Sequence, residues 1–309
     1  MFGKRRGVAL WLVAWLMSLP EDAGAQYYFY NDGNFSSNWI LEMGPIAGIM
    51  NCLTDLGGRK GNGGKGLKDL NWQMSRPCAG LYLQAIYKEA FAWKMEGCAG
   101  NIESKDAVLR NTDPSLNGRY GRNLSFRSRI IDVHLALEIH PLFFRIYDQG
   151  KAPYFSPYLI GGIGYFVFNP KALLNGQWYA LHPLRLEGQG FREYADHRPY
   201  RLQQVNIPVG IGLRYEVGAW TNIRLEFIHR VLFTDYLDDV STNYINPTLF
   251  YDYLPPPGAV IAAQLYSRAK ELQPGINVNS SMTRGNPENK DAFFTIQLKV
   301  GFLLRPRKN

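Results

Sequence analysis

Apolar side chains recur at every second position over long stretches of this chain. Ile131, Val133, Leu135, Leu137 and Ile139 share one parity, and Asp132, His134, Ala136, Glu138 and His140 the other. Val205, Ile207, Val209, Ile211, Leu213, Tyr215 and Val217 alternate with Gln204, Asn206, Gly210, Gly212, Arg214 and Glu216. Phe294, Ile296, Leu298, Val300 and Phe302 do the same with Thr295, Gln297, Lys299 and Gly301. A period of two marks an extended strand whose successive side chains point to opposite faces. The pattern also covers 38–51, 78–88, 91–100, 157–168 and 221–233, so the sequence predicts eight strands.

Between these strands long and short connections alternate, with the fourth, after residue 140, of intermediate length. Up-and-down barrels that cross an outer membrane have short turns on one side and long loops on the other, with an even strand number that brings both ends of the sheet to the short-turn side. A secreted sandwich has no reason to collect its long loops at one end. Aromatic residues fall where an interfacial girdle would lie: Trp39, Tyr87, Phe91, Tyr215, Trp220 and Phe302 toward the short-turn side, Phe233 and Phe294 toward the other. The expected fold is all-β: an eight-stranded antiparallel up-and-down transmembrane β-barrel, with long extracellular loops at about 52–77, 101–123, 169–203 and 234–293.

The N-terminus agrees with export. Lys4, Arg5 and Arg6 precede an apolar run from Val8 to Met17, and Ala23-Gly24-Ala25 supplies the small residues of a cleavage site, so residues 1–25 read as a signal peptide and 26–309 as the barrel domain. No later stretch of 18 apolar residues offers a transmembrane helix. Composition adds little to this picture. The chain is 46% hydrophobic and 19% charged, which excludes disorder, and a barrel with one polar face averages to an unremarkable hydropathy. The net charge of +8 does not point to nucleic acid in an exported protein. Arg59, Lys60, Lys65 and Lys68 in the first outer loop would instead meet anionic lipopolysaccharide.

The polar parity defines what fills the barrel. It carries Glu42, Glu96, Asp132, Glu138, Glu216 and Glu226 against Lys88, Lys94, Arg214, Arg224, Arg230 and Lys299, with His134 among them. Eight strands enclose a space just wide enough for side chains, and charges there persist only if they pair. The expectation is a cross-linked, closed core. The sharper alternatives are a polar conduit or a catalytic cluster of Asp132, His134 and Glu138. Along one strand those three are spaced by about 7 and 14 Å, too far for direct hydrogen bonding. His229, which breaks the apolar parity of its strand, is the candidate for a lipid hydrolase on the membrane face. No Gly-x-Ser-x-Gly elbow, His-Glu-x-x-His or phosphate loop occurs, and Gly161-Gly162-Ile163-Gly164 sits within a strand, where small residues make space for large neighbours. No catalytic residue, cofactor, metal or small-molecule substrate is expected.

Three cysteines suit an oxidising compartment. If the second hairpin turns about Lys88 and Glu89, Cys78 falls opposite Cys98 and a cross-strand disulfide is the candidate, with Cys52 as a competing partner and one thiol left over. The outer loops hold roughly 140 residues, more than connectors need. In the last, Pro255-Pro256-Pro257 precedes a stretch with Ile261, Leu265 and Ala269 at helical spacing, which predicts a short surface helix. Asp235, Asp238 and Asp239 could take Ca²⁺, but they match no EF-hand spacing and read rather as turn and cap hydrogen-bonders.

Several segments, taken in order, carry a resemblance. They are Arg122-Asn123-Leu124-Ser125-Phe126-Arg127-Ser128, Pro157-Tyr158-Leu159-Ile160-Gly161-Gly162-Ile163-Gly164, Phe168-Asn169-Pro170, Glu187-Gly188-Gln189-Gly190, Thr234-Asp235-Tyr236-Leu237-Asp238-Asp239-Val240-Ser241 and Arg284-Gly285-Asn286-Pro287. Together they resemble the PorG-type outer-membrane barrels of Bacteroidota, over about residues 37 to 304. The resemblance implies a non-enzymatic component of the type IX secretion system in the cell outer membrane, with membrane lipid and lipopolysaccharide around it and a periplasmic ring of PorK-type lipoproteins and PorN-type subunits as its partner. The cysteines and the basic tail Arg305-Pro306-Arg307-Lys308-Asn309 depart from the family's pattern. Candidate docking residues are Phe143, Phe144, Arg145 and Lys151 in the fourth connection, with Arg305, Arg307 and Lys308 as a second patch. The alternatives are a stand-alone structural or adhesive barrel and a lipid-modifying enzyme.

Overall fold

A computed structural model describes residues 39–57, 71–109, 118–145, 153–218, 220–276, 278–280 and 282–304. The signal segment, the basic loop residues 59, 60, 65 and 68, Lys151 and the tail residues Arg305, Arg307 and Lys308 lie outside them. Ten strands form in chain order: β1 (Trp39–Leu53), β2 (Arg76–Tyr87), β3 (Phe91–Lys105), β4 (Ser125–Ile139), β5 (Phe155–Val167), β6 (Pro170–Leu174), β7 (Gln177–Ala180), β8 (Gln203–Gly218), β9 (Thr221–Leu232) and β10 (Ala292–Leu304). Eight close on themselves in the order β1-β2-β3-β4-β5-β8-β9-β10, with β10 returning to β1 and every pair antiparallel. No helix of the described residues is long and apolar enough to cross a membrane.

Closure leaves one face of each strand inside and the other outside. Outward residues such as Leu83, Trp93, Met95, Leu135, Leu159, Ile163, Ile211 and Leu298 are exposed, whereas their inward neighbours are buried. An exterior of this kind is stable only against hydrocarbon, and closure pairs every strand edge, as backbone in lipid requires. At the short-turn rim Trp39 packs on Tyr87 with ring centroids 4.9 Å apart, and Tyr215, Trp220 and Phe302 are exposed beside them. At the opposite rim Phe233 is exposed, but Phe294 is fully buried. Trp72, in the loop above, lies edge-on to Phe294 at 6.2 Å and takes the exposed aromatic position instead.

Three details depart from the sequence reading. The β2–β3 turn holds three residues, Lys88, Glu89 and Ala90, so Cys78 faces Gly100 and Cys98 faces Gly80. The slip by one pair follows from positive φ at two successive residues, Lys88 (50°) and Glu89 (57°). All three cysteines are buried free thiols, and those of Cys78 and Cys98 touch across the diagonal. Lys88 is consequently a turn residue lying 5.4 Å above the Tyr87 ring and does not contribute to the lumen. Finally, β3 and β4 run past the predicted strands to the pair Lys105 and Ser125. Their outward residues there, Asn101, Glu103, Arg127 and Arg129, are polar, so the ladder continues above the membrane after the alternation has stopped.

The loops at the far end do not splay into solvent. They fold into a cap whose buried apolar residues, among them Leu56, Ile102, Phe168, Leu186, Phe191, Leu237, Ile245 and Phe250, continue the core upward from the barrel. A hairpin of β6 and β7 stands on β4, turned by Asn175 (φ 50°) and Gly176 (φ 81°) in the two-residue geometry that Asn-Gly favours. Three short helices, α1 (Gly118–Arg122), α2 (Phe250–Tyr253) and α3 (Pro256–Leu265), complete it. Helix α3 buries Ala259, Ala262 and Leu265 and ends at Leu265, so the stripe begins at Ala259 rather than Ile261 and Ala269 falls in a separate turn.

Inside the barrel, small residues make space for rings. A Cβ at Gly212 would lie 2.3 Å from Cζ of Tyr158, and one at Gly301 would lie 2.5 Å from the Glu42 carboxylate. Replacing Gly212 by Leu should therefore destabilise the barrel by about 1–3 kcal/mol through overpacking. The check is a lower unfolding midpoint in urea, read as the loss of the fast-migrating unboiled band on a gel.

Candidate functional site

Two regions concentrate chemistry: the lumen, and the polar heart of the cap. Alternation delivers the lumenal groups, because each inward position of a closed eight-strand ladder faces the axis and meets side chains from strands across it. Near the short-turn end, Arg224 grips Glu42 with two bonds of 2.9 and 3.0 Å and reaches Glu138 with a third at 2.9 Å. Tyr82 and Asn222 donate to the same Glu42 at 2.6 and 2.8 Å. In the middle, Lys94 lies 2.8 Å from both Glu138 and Glu226, and Lys299 bridges Glu226 (2.7 Å) to Glu96. Tyr158 donates to Glu226 at 2.7 Å while Arg224 stacks over its ring. Above them, Arg230 holds Asp132 at 3.2 Å, and Asn206 donates to Asp132 at 2.7 Å.

His134 stands between Asp132 (3.1 Å) and Glu96 (3.6 Å). The Asp132–His134 contact corrects the expectation that strand spacing forbids it. Side chains two apart lean along the strand and close a gap that the Cα separation overstates. Glu138 remains apart from this pair, engaged with Lys94 and Arg224. Arg214 and Glu216 lie lower, at the periplasmic mouth, where Arg214 joins Glu216 to Glu89 of the β2–β3 turn and sits 5.6 Å from the Phe143 ring. Of the charged residues singled out from the sequence, the mouth thus takes two and the sealed middle the rest, with Lys88 excluded. The neutral partners Tyr82, Tyr158, Asn206, Asn222 and Gln297 were not singled out, although all share the inward parity. The charged side chains of this core are buried and ion-paired across the axis.

At the periplasmic rim, the turn Pro141–Phe144 is tied down by a bond from His140 N to Ala90 O (2.8 Å). Phe143 faces the mouth, whereas Phe144 is 59% exposed against Phe91, and Arg145 is exposed beside it. His229 points outward and is half-buried, with Val209 and Phe294 as its cross-strand neighbours.

The cap is organised around one buried ion pair. Arg284 bonds Glu187 at 2.8 Å and the carbonyl oxygen of Asp239 at 2.5 Å. Glu187 also accepts from the backbone N–H groups of Ser241 (2.9 Å) and Thr242 (3.0 Å). Arg122 caps the same assembly, donating to the Arg284 carbonyl and reaching Asp106 at 3.2 Å. Four of the segments that carry the family resemblance, those holding Arg122, Glu187, Asp235 to Ser241 and Arg284, thus converge here. Asp238 accepts from Leu56 N (3.1 Å) and Val240 N (3.0 Å), Asp291 from Leu237 N (2.8 Å), and Asp239 from the Tyr200 hydroxyl (2.7 Å). Only the Asp238–Val240 bond is the local turn bond expected from the sequence; the others tie distant loops together, and among the described residues no cluster of acids, histidines or cysteines has the form of a metal site.

Burial raises four aspartates of the cap. Asp235 and Asp239 are each pushed up to about 7, and Asp238 and Asp291 are held well above the ordinary range by burial and by the neighbouring carboxylates, Asp55 included. Lys290 works against the rise at Asp235, as Arg284 and the Tyr200 hydroxyl do at Asp239.

The closed ladder, the apolar belt and the plugged interior define the class: a transmembrane β-barrel of the outer-membrane type. No family model matches the chain, and no curated protein matches it. Solved structures similar to it are themselves such barrels. One is Ail, the attachment invasion locus protein of Yersinia pestis, in complex with the heparin analogue sucrose octasulfate (10% identity, 86% of this chain and 97% of that one, TM-score 0.34). Others are OprG from Pseudomonas aeruginosa (10%, 87% and 96%, 0.36) and outer membrane protein W of E. coli (11%, 87% and 100%, 0.33).

Lys299→Met should cost about 3–5 kcal/mol, because it leaves Glu96 and Glu226 crowding Lys94 alone in the sealed middle. Urea unfolding in detergent measures this, and the double variant Glu96→Gln/Lys299→Met should recover part of the loss. The cap should respond to pH with a definite sign. Asp235, Asp238, Asp239 and Asp291 have folded values above the unfolded value of about 3.9, so the folded cap holds protons that the unfolded loops release. The stability they contribute is complete below that value and is lost as pH climbs through about 7. Amide hydrogen exchange over residues 234–241, corrected for intrinsic rate, should show less protection at pH 8 than at pH 5.

Proposed function

We propose that this chain is a non-enzymatic anchor in the cell outer membrane, a component of the type IX secretion system whose periplasmic end docks a ring of PorK-type lipoproteins and PorN-type subunits. The observation that carries the reading is the sealed lumen. A barrel whose axis is occupied by Glu42, Lys94, Glu96, Glu138, Arg224, Glu226 and Lys299, all fully buried, passes no folded cargo. Its work then lies at its two ends. The convergence of the resemblance segments on the cap supports the family reading, and the exposed Phe144 and Arg145 offer a periplasmic contact surface. His229 has neither a nucleophile nor an acid across from it on either neighbouring strand, which favours an anchor over a lipid-modifying enzyme.

A second reading has its own observation. The cap is a folded body with a buried ion pair and an apolar core, and it displays Trp178 and Tyr251 outward. Such a surface suits a stand-alone structural or adhesive barrel. A photo-crosslinking residue at position 144 separates the two. The anchor predicts a covalent adduct with a periplasmic ring protein and loss of cargo secretion on gene deletion. No adduct together with unimpaired secretion would establish the stand-alone role.

A further inference from the structure

The outer face of the barrel changes character sharply on one side. Ile131 and Val167 are cross-strand partners, exposed at 46% and 37%, and form the top of the apolar belt there. Two and four residues further up β4, on the same outward parity, stand Arg129 and Arg127, both exposed. At ~3.4 Å per residue along a tilted strand they sit about 5–11 Å above the hydrocarbon edge, which is the depth of lipid headgroups.

The ladder sets these cations against another. Arg127 is directly opposite Lys171 of β6, and both side chains point outward. Like charges facing each other across an antiparallel pair repel, so this pair works against the packing of Ala172, Leu174 and Tyr179 that seats the hairpin on the cap core. Glu103 lies across from Arg127 on β3, close enough for their charges to interact, while its ion pairs are made with Arg76 and Lys105. Among the described residues, neither Arg127, Arg129 nor Lys171 forms an ion pair. Trp178 of β7 lies 5.8 Å from the Arg127 guanidinium and is 43% exposed, an amphipathic ring at the interface. Three basic side chains with Glu103, itself paired to two other cations, as their cross-strand acid leave an excess of positive charge directly above an apolar belt, which fits an amphiphile with a phosphorylated head.

We propose that the outer face of β4 and β6 is a binding site for the phosphate groups of an acylated saccharolipid of the outer leaflet. Arg127, Arg129 and Lys171 hold the phosphate oxygens, and the acyl chains lie against Ile131 and Val167. The anion bridges Arg127 and Lys171, turning a repulsive register pair into a clamp that fastens the hairpin to the barrel. This goes beyond the docking function and depends only on the barrel standing in the membrane, which a heat-shifted gel band checks separately.

The test is native mass spectrometry of the full chain in detergent, titrated with diphosphorylated lipid A and with its dephosphorylated form. The wild type should retain the diphosphorylated lipid at about tenfold lower concentration, and Arg127→Gln/Lys171→Gln should abolish the difference. Lys171→Glu supplies a variant that keeps the hairpin folded: it should lose the lipid preference and, by pairing with Arg127, raise the thermal unfolding temperature in lipid-free detergent. Equal retention of both lipids by the wild type would overturn the proposal. So would an undiminished preference in Lys171→Glu, or displacement of the lipid by an equal concentration of inorganic phosphate, which would point to a soluble phosphate ligand instead.

Discussion

A backbone in hydrocarbon has no water to satisfy its N–H and C=O groups, and everything else in this molecule follows from that requirement. The strands must close, and eight of them closing leave an interior with no room for solvent. Whatever polar residues face inward must then find partners among themselves. Arg224, shared by Glu42 and Glu138, and Lys299, shared by Glu96 and Glu226, are the outcome: each cation serves two carboxylates from different strands. The network ties opposite walls of the cylinder together across its axis, which the ladder alone cannot do.

That closure also sets where function can reside. With the axis filled, the protein meets its surroundings at the periplasmic rim, at the lipid-facing wall and at the extracellular cap. The cap is built on a different principle from the barrel. Its chain has no period to follow, and it is held by residues far apart in sequence, with Arg284 drawing together Glu187, Asp239 and Tyr266. Buried Asp238 and Asp291 accept from backbone donors of other loops, which fixes loop conformation.

The demands of a closed ladder are positional. Any apolar side chain serves outward, and inward any set of charges and rings serves that fills the space and pairs.

What could be read from the chain alone was whatever depends on a period of two: the eight strands, their inward and outward faces, the placement of Glu42, Lys94, Glu96, Asp132, Arg224, Glu226, Arg230 and Lys299 on the inner one, and the side on which the long loops gather. Strict alternation is a local property, and each residue carries its share of it. Register, turn geometry and loop packing are not local. The paired left-handed residues Lys88 and Glu89 shifted Cys78 one pair out of register with Cys98, the lean of two side chains joined Asp132 to His134, and the polar outward residues of β3 and β4 hid the true ends of those strands. The cap, with its Arg284–Glu187 pair, and the meeting of Arg127 with Lys171 depended on distant segments being brought together. Only the tertiary structure could decide these, because their energy comes from contacts that no stretch of sequence contains by itself.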